Sequence, residues 1–161
     1  GHDAGDRILR ALGGLLTDVL RKRDLAARPG GEEFVVYLPG LHRDAAWQVG
    51  ERLRIAAEDR LSTADRTVTL SVGVAPRLPG ASFSALLKAA DRAVYRAKES
   101  GRNRVEIAAM AEIEGYDHPE RTAASSITAL SKPHREKGYS AARLFNKTGE
   151  GGNAVVLYVR L

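Results

Sequence analysis

The chain has 161 residues, 43% of them apolar, which is typical of one globular domain that builds its own core. It contains no cysteine, which excludes disulfides and thiolate metal sites. The net charge of +5 suits an anionic partner without choosing among nucleotide, nucleic acid and acidic surface. No apolar run approaches the roughly 18 residues of a membrane span, and no signal peptide is visible. We therefore expect a cytoplasmic domain with no membrane contact from this chain, which is compatible with a parent protein tethered to a membrane.

Helical and extended patterns alternate over the first two thirds of the chain. Apolar residues recur at helical spacing over residues 6–22, 43–60 and 83–97. Residues 67–74 alternate like a half-buried strand, and residues 104–107 predict a short closing strand. This order predicts an α/β fold whose central sheet contains antiparallel strands and is flanked by helices.

The most informative stretch pairs two glycines with two carboxylates, Gly30-Gly31-Glu32-Glu33. It lies between two extended segments, so we predict a hairpin with both glycines in its turn, where they tolerate positive φ. Backbone N–H groups at such a tip can hold an anion. Carboxylates just past the tip suit a hard cation such as magnesium beside a phosphate. Taken alone, the motif also fits an acidic hairpin tip in solvent.

Several motifs, in this order, resemble the GGDEF domain of bacterial diguanylate cyclases. They are Gly1 to Asp6, Arg21 to Asp24, Arg28 to Phe34, Thr69 to Val74 and Ala90 to Asn103. The resemblance covers residues 1–108. It implies a nucleotidyl-cyclase-like GGDEF fold and a signalling homodimer. It also implies the condensation of two GTP into cyclic di-GMP with Mg²⁺ or Mn²⁺.

The resemblance also assigns roles to the two carboxylates and the glycines. Glu32 and Glu33 would hold the metal as the catalytic pair, and Glu32 would help to activate the attacking 3′-hydroxyl. Gly30 and Gly31 would hold phosphate through their N–H groups.

Three further residues match substrate-binding positions of the family. Lys98 and Arg102 resemble its phosphate contacts, although an ordinary basic helix end is the alternative. Asp6 resembles its guanine reader, because a carboxylate accepts hydrogen bonds from N1–H and the exocyclic amine. A helix N-cap is the alternative for Asp6, and the two roles are compatible.

Arg21-x-x-Asp24 resembles the product-inhibition site of the family, with Arg52 as its second arginine. Arginine can donate two hydrogen bonds to guanine O6 and N7, and Asp24 can accept from another edge of the base. A surface ion pair worth under about 1 kcal/mol is the alternative. The resemblance implies allosteric inhibition by cyclic di-GMP at these residues.

The sequence departs from the family at its beginning and its end. The family domain opens with a helix and a buried strand that carries a metal-binding aspartate, and neither precedes Gly1. Residues 109–161 predict a C-terminal extension with a strand over 154–160. Together with residues 127–130 this strand faintly resembles the missing opening in permuted order, with Arg160 about where the aspartate belongs. An unrelated extension and a reading-frame artefact are the alternatives.

Two functions remain open at this point. The first is a diguanylate cyclase. The second is a catalytically impaired domain that binds cyclic di-GMP or GTP, which the missing opening favours. A nucleic-acid binder rests on net charge alone, and we expect no nucleic-acid partner.

Overall fold

The computed structural model describes residues 2–114 and 152–161. In chain order its elements are α1 His2–Val19, β1 Leu25–Gly30, β2 Glu33–Pro39, α2 Arg43–Leu61, β3 Ser71–Pro76, α3 Phe83–Glu99, β4 Arg104–Ile107, α4 Met110–Glu114 and β5 Ala154–Arg160. The α/β class predicted from the alternating patterns is confirmed.

One five-stranded sheet organises the domain, with the strand order β1-β2-β5-β3-β4. The central strand β5 runs antiparallel to both of its neighbours, β2 and β3. The edge strand β4 pairs with β3 in parallel. Six of the seven residues of β5 are buried. Burial on both faces explains the nearly continuous apolar run of this strand.

Helices cover both faces of the sheet. Alternate residues of β2 separate the two cores: Phe34 and Val36 pack with α1 and α2, whereas Val35 and Tyr37 pack with α3. The same alternation places Glu33, at the start of β2, on the face that α3 covers. The packing of the sheet thus decides which way the second carboxylate of the motif points.

The hairpin turn differs from the prediction by one residue. Gly30 is still in β1 and pairs with Glu33, so the turn consists of Gly31 and Glu32. Only the first of these two needs positive φ, and Gly31 adopts φ +54°. The register shift between Ala27 and Gly30 supplies the extra residue. Glu32 is therefore at the tip, and Glu33 is a sheet residue.

A glycine is required by packing in β3 but not in α1. A Cβ on Gly73 would lie 2.0 Å from the carbonyl oxygen of Ala90, so glycine permits α3 to lie directly against β3. In α1, Gly13 and Gly14 interrupt a helical pattern, which predicts close packing at these positions too; this prediction is wrong. A Cβ at either position meets nothing within 4 Å.

Residues 109–161 are described in two parts. A short helix, Met110–Glu114, was not predicted, and residues 154–160 form the central strand β5. The predicted counterpart of the family opening at 127–130 lies outside the described residues. In the part of the chain that the structure describes, no helix has the length and apolar character needed to cross a membrane.

Candidate functional site

The hairpin tip presents its backbone and its first carboxylate to solvent. Glu32 is exposed in the turn. The Arg28 guanidinium donates hydrogen bonds of 2.9 and 2.7 Å to the carbonyl oxygen of Gly31, and its Cζ lies 6.0 Å from the centroid of the Phe34 ring. Arg28 thus holds the shape of the turn from outside and places a positive charge beside it.

An open cavity of about 360 Å³ lies between the hairpin tip and the last turns of α3. It is lined by Gly30, Gly31, Glu32, Glu33, Lys98 and Arg160. Five of these residues were predicted from the sequence as site residues, and Arg160 was noted only for its position. The cavity is large enough for phosphate groups, with two glycines and two cationic side chains in its wall.

Glu33 is held by two residues of the central strand. Arg160 lies directly opposite it across the β2–β5 ladder and forms an ion pair with its Oε1. The Tyr158 hydroxyl donates a 2.9 Å hydrogen bond to its Oε2. Nη2 of the same arginine lies 3.5 Å from Asp91 Oδ1 on α3. Both oxygens of Glu33 are therefore already engaged.

The ionisation of the two β5 residues follows from this arrangement. Burial and the neighbouring Glu33 carboxylate raise the pKa of Tyr158 to about 12, because both disfavour the phenolate. Burial alone would lower the pKa of Arg160, but Asp91 and Glu33 outweigh it and the net direction is upward. The pair remains a neutral phenol and a guanidinium cation throughout the physiological range.

The carboxylates as arranged do not fit the divalent cation that the family resemblance implies. Within residues 2–114 and 152–161, no group of three or more acidic or histidine side chains is placed to hold a metal ion. Glu33 faces Arg160 instead, and a guanidinium beside that carboxylate repels a second cation. Glu32 is left as one exposed carboxylate, the lower limit of the one or two that bind Mg²⁺ together with substrate phosphates, so the misfit lies at Glu33.

A second cavity, of about 240 Å³, adjoins the first at Glu32. Its lining is mixed: Ile8 and Leu9 of α1 and Val68 are apolar, whereas an arginine, two threonines and Glu32 are polar. Gly5 also lines it, but its neighbour Asp6 is exposed on α1 and is absent from the lining. Asp6 is therefore next in sequence to a lining residue, but its own side chain does not line this cavity.

The two predicted phosphate contacts are placed differently. Lys98 lies in the last turn of α3 and lines the first cavity. Arg102 is exposed in the turn after α3, with φ +64°, and does not line that cavity. The backbone reverses between the two residues, so their side chains are not brought to one wall.

Arg21 and Asp24 form a tight pair at the turn between α1 and β1. Nη2 of Arg21 lies 2.6 Å from Oδ1 of Asp24, and the Arg21 backbone N–H donates to Oδ2 at 2.8 Å. Nη2 also donates to the carbonyl oxygen of Pro39 at 3.1 Å. Because Asp24 is only 2% exposed, the alternative of a simple surface ion pair is wrong. Arg52, the third predicted member, is exposed on α2.

Sequence reasoning missed Asp91 and Tyr158 as members of the site. Asp91 precedes Lys98 by two helical turns, which places both on one face of α3. Tyr158 and Arg160 are two residues apart on a strand and share its face for the same geometric reason. Both signals are present in the sequence, but only the pairing of β5 with β2 shows that Tyr158 and Arg160 meet Glu33, and only the packing of α3 brings Asp91 to Arg160.

A family model and two named relatives connect this chain with diguanylate cyclases. The family described as "Diguanylate cyclase, GGDEF domain" matches residues 1–104. Diguanylate cyclase DgcP of Pseudomonas aeruginosa is 40% identical over 111 residues, which are 67% of this chain and 16% of that protein. Diguanylate cyclase DgcM of Escherichia coli K12 is 42% identical over 105 residues, 65% of this chain and 26% of that protein. The chain thus spans less than a third of the length of these relatives.

A solved structure shares the fold. The GGDEF domain of DgcB from Caulobacter crescentus, in complex with c-di-GMP, superposes with a TM-score of 0.55 at 28% identity. The similarity covers 66% of each chain. The ordered motifs, the mixed sheet with its carboxylate hairpin and these similarities lead to one conclusion: the chain belongs to the GGDEF domain family of diguanylate cyclases.

Proposed function

We propose that this chain condenses two molecules of GTP into cyclic di-GMP and releases two pyrophosphates. The observation that supports the proposal is the cavity in which Gly30, Gly31 and Lys98 surround the exposed Glu32. Glycine N–H groups and a lysine suit phosphate, while a carboxylate beside them suits a hydroxyl nucleophile. Since GTP is a cytoplasmic nucleotide, the proposal places the domain in the cytoplasm.

In the proposed reaction the 3′-oxygen of one GTP attacks the α-phosphorus of the other. The bond from that phosphorus to the bridging oxygen of the β-phosphate breaks, and pyrophosphate leaves. Glu32 accepts the proton of the attacking hydroxyl, and Lys98 offsets charge on the phosphates. The Mg²⁺ or Mn²⁺ proposed from the family resemblance would be held by Glu32 and Glu33, but the present arrangement of Glu33 does not fit it.

The symmetry of the product leads us to propose a homodimer. Cyclic di-GMP contains two equivalent linkages, so two domains that each present one GTP across a two-fold axis can form both. Each domain would then supply its own hairpin and its own Lys98.

For guanine recognition we propose Asp6, which follows the lining residue Gly5 of the second cavity on α1. Ile8, Leu9 and Val68 offer the apolar part of the wall to a purine ring, and Glu32 lines both this cavity and the first one. The exposed Asp6 carboxylate can accept hydrogen bonds from the guanine edge. Arg102 is proposed to contact phosphate from outside the cavity.

Product inhibition is proposed at Arg21, Asp24 and Arg52. Because Asp24 already accepts from the Arg21 side chain and backbone, it would have to share its oxygens with a guanine. The two arginines therefore carry most of the proposed contact, through donors to guanine O6 and N7.

A second candidate function is nucleotide binding without turnover. The Arg160–Glu33 ion pair favours it, because it engages the carboxylate that the condensation would use. In that case the domain would bind GTP or cyclic di-GMP as a sensor.

One experiment separates the two candidates. The purified chain is incubated with GTP and Mg²⁺, with a phosphodiesterase present to remove inhibitory product, and the nucleotides are separated by chromatography. Cyclic di-GMP or its hydrolysis product, absent with the Glu32→Ala variant, supports condensation. Unchanged GTP, together with saturable binding of either nucleotide, contradicts condensation and supports the binding function.

A further inference from the structure

The side chain of Arg160 lies in a cage of groups that favour a positive charge. It forms an ion pair with Glu33 and lies 3.5 Å from Asp91. Its Cζ lies 5.4 Å from the centroid of the Tyr158 ring, which offers its π-face to a cation. Two carboxylates from different elements, β2 and α3, thus converge on one guanidinium.

The charge of the guanidinium, more than its hydrogen bonding, sets its position. Among the buried side-chain N and O atoms of the described residues, Nε of Arg160 has no hydrogen-bond partner. A side chain placed to satisfy its donors would not leave this N–H unpaired. The Nη2 end is the one that meets both carboxylates, as a point charge would.

Removal of this charge would leave an acidic site. Glu33 and Asp91 would then have no cation between them, and Glu33 lines a cavity that is open to solvent. Oxygen ligands of this kind are the ones that hard divalent cations bind. With Arg160 present, the cation position is filled and the local charge is balanced.

We propose that the Arg160 guanidinium is the resident cation of this site, occupying the position between Glu33 and Asp91 and thereby excluding divalent metal from Glu33. Glu33 of the hairpin would thus bind a divalent metal only when the Arg160 charge is removed. The inference concerns the site of the proposed function, but it is tested without nucleotide, so either can fail independently of the other.

The test is a titration of the full chain with Mn²⁺ alone. The concentration of free Mn²⁺ is measured at each step from its electron paramagnetic resonance signal. We expect no saturable site in the wild-type protein below millimolar Mn²⁺. We expect one site per chain in Arg160→Gln, bound at least about tenfold more tightly because repulsion is removed and two carboxylates are released. Adding Glu33→Gln to this variant should abolish the gain.

Arg43→Gln is the matched control, because it removes the same charge from a surface pair with Asp44 beyond the opposite end of β2. It should bind Mn²⁺ as the wild type does. Arg160→Met, which keeps an apolar stem, replaces Arg160→Gln if that variant lacks a cooperative unfolding transition. The proposal is overturned if the wild type binds one Mn²⁺ below millimolar and Glu33→Gln removes it. It is equally overturned if a folded Arg160 variant gains no affinity.

Discussion

Glu33 shows how one residue acquires its properties from its neighbours. In the sequence it is the second of two equivalent carboxylates. In the fold it is a strand residue whose oxygens are engaged by Arg160 and by Tyr158, while Glu32 stays in solvent. The two glutamates therefore have different chemistry despite being adjacent.

At this scale the phenol of Tyr158 provides a pH-dependent prediction. Its pKa is raised to about 12, above the ordinary value near 10, so it stabilises the fold fully below pH 10. This contribution is lost as the pH rises through 12. Between about pH 10 and 12 the free energy of unfolding should therefore decrease more in the wild type than in Tyr158→Phe. We expect the two decreases to differ by up to about 2 kcal/mol.

Urea unfolding of both proteins at pH 9 and at higher pH measures this difference. An ultraviolet titration of the tyrosines in both proteins gives the pKa of the phenol that is missing from Tyr158→Phe. If the phenol that disappears in Tyr158→Phe titrates at the ordinary value near 10, the burial and hydrogen bond described for Tyr158 are wrong.

Asp24 leads to a second prediction at the residue scale. It is 2% exposed and accepts from both the side chain and the backbone of Arg21. We expect Asp24→Asn to lower the free energy of unfolding by about 1–3 kcal/mol, because a buried hydrogen-bonded charge is removed from its partner.

Denaturant unfolding measures this cost, with Asp44→Asn as the control. The side chain of Asp44 is 84% exposed and pairs with Arg43 on the surface, so its loss should be close to neutral. Equal costs at the two positions would show that the Arg21–Asp24 pair contributes no more than a surface pair.

At the scale of elements, the contact between α3 and β3 depends on one glycine. A Cβ on Gly73 would meet Ala90 O at 2.0 Å and Val94 N at 2.7 Å, both backbone atoms that cannot rotate away. We expect Gly73→Ala to destabilise the fold by at least about 3 kcal/mol, because α3 would have to move off the sheet.

Gly14→Ala is the matched substitution, and we expect it to raise the free energy of unfolding where Gly73→Ala lowers it. Gly14 is exposed inside α1 and a Cβ there meets nothing within 4 Å. We expect a gain of about 0.5–1 kcal/mol, since alanine restricts the unfolded chain and favours helix. Thermal unfolding of the two variants against the wild type measures both changes. A Gly73→Ala protein as stable as the wild type would contradict the close approach of α3.

At the scale of the whole molecule, β5 joins the two halves of the sheet. It is paired with β2 on one side and with β3 on the other, and six of its seven residues are buried. This central placement is what the permuted order requires, although permutation itself remains a prediction. Without β5 the sheet would present two unpaired apolar edges.

We therefore expect a chain that ends at residue 151 to lose its cooperative unfolding transition. A synthetic peptide of residues 152–161 added in trans should restore it, because the peptide supplies the missing ladders on both sides. Circular dichroism during urea unfolding, with and without the peptide, measures the effect. A truncated chain that still unfolds cooperatively would show that β5 is dispensable.

Much of this organisation could be predicted from local patterns. The helices over 43–60 and 83–97 and the strand over 104–107 agree with α2, α3 and β4 within one or two residues. Ser82 precedes α3 as a typical N-cap residue, and its side chain accepts a hydrogen bond from the backbone N–H of Ala85 at 3.0 Å. Side-chain periodicity and capping are local, so the sequence displays them directly. The hairpin turn was misplaced by one residue because the register of a ladder depends on its partner strand.

The chain alone carries the signals for the family, the α/β class and five of the residues that line the cavity at the hairpin tip, because motifs and periodicities are local. Three further features depend on the assembled fold: Arg160 faces Glu33, Asp91 lies beside Arg160, and Asp24 is buried. These contacts bring together residues up to 127 positions apart. Their chemistry depends on which strands become neighbours, and no local pattern records that choice.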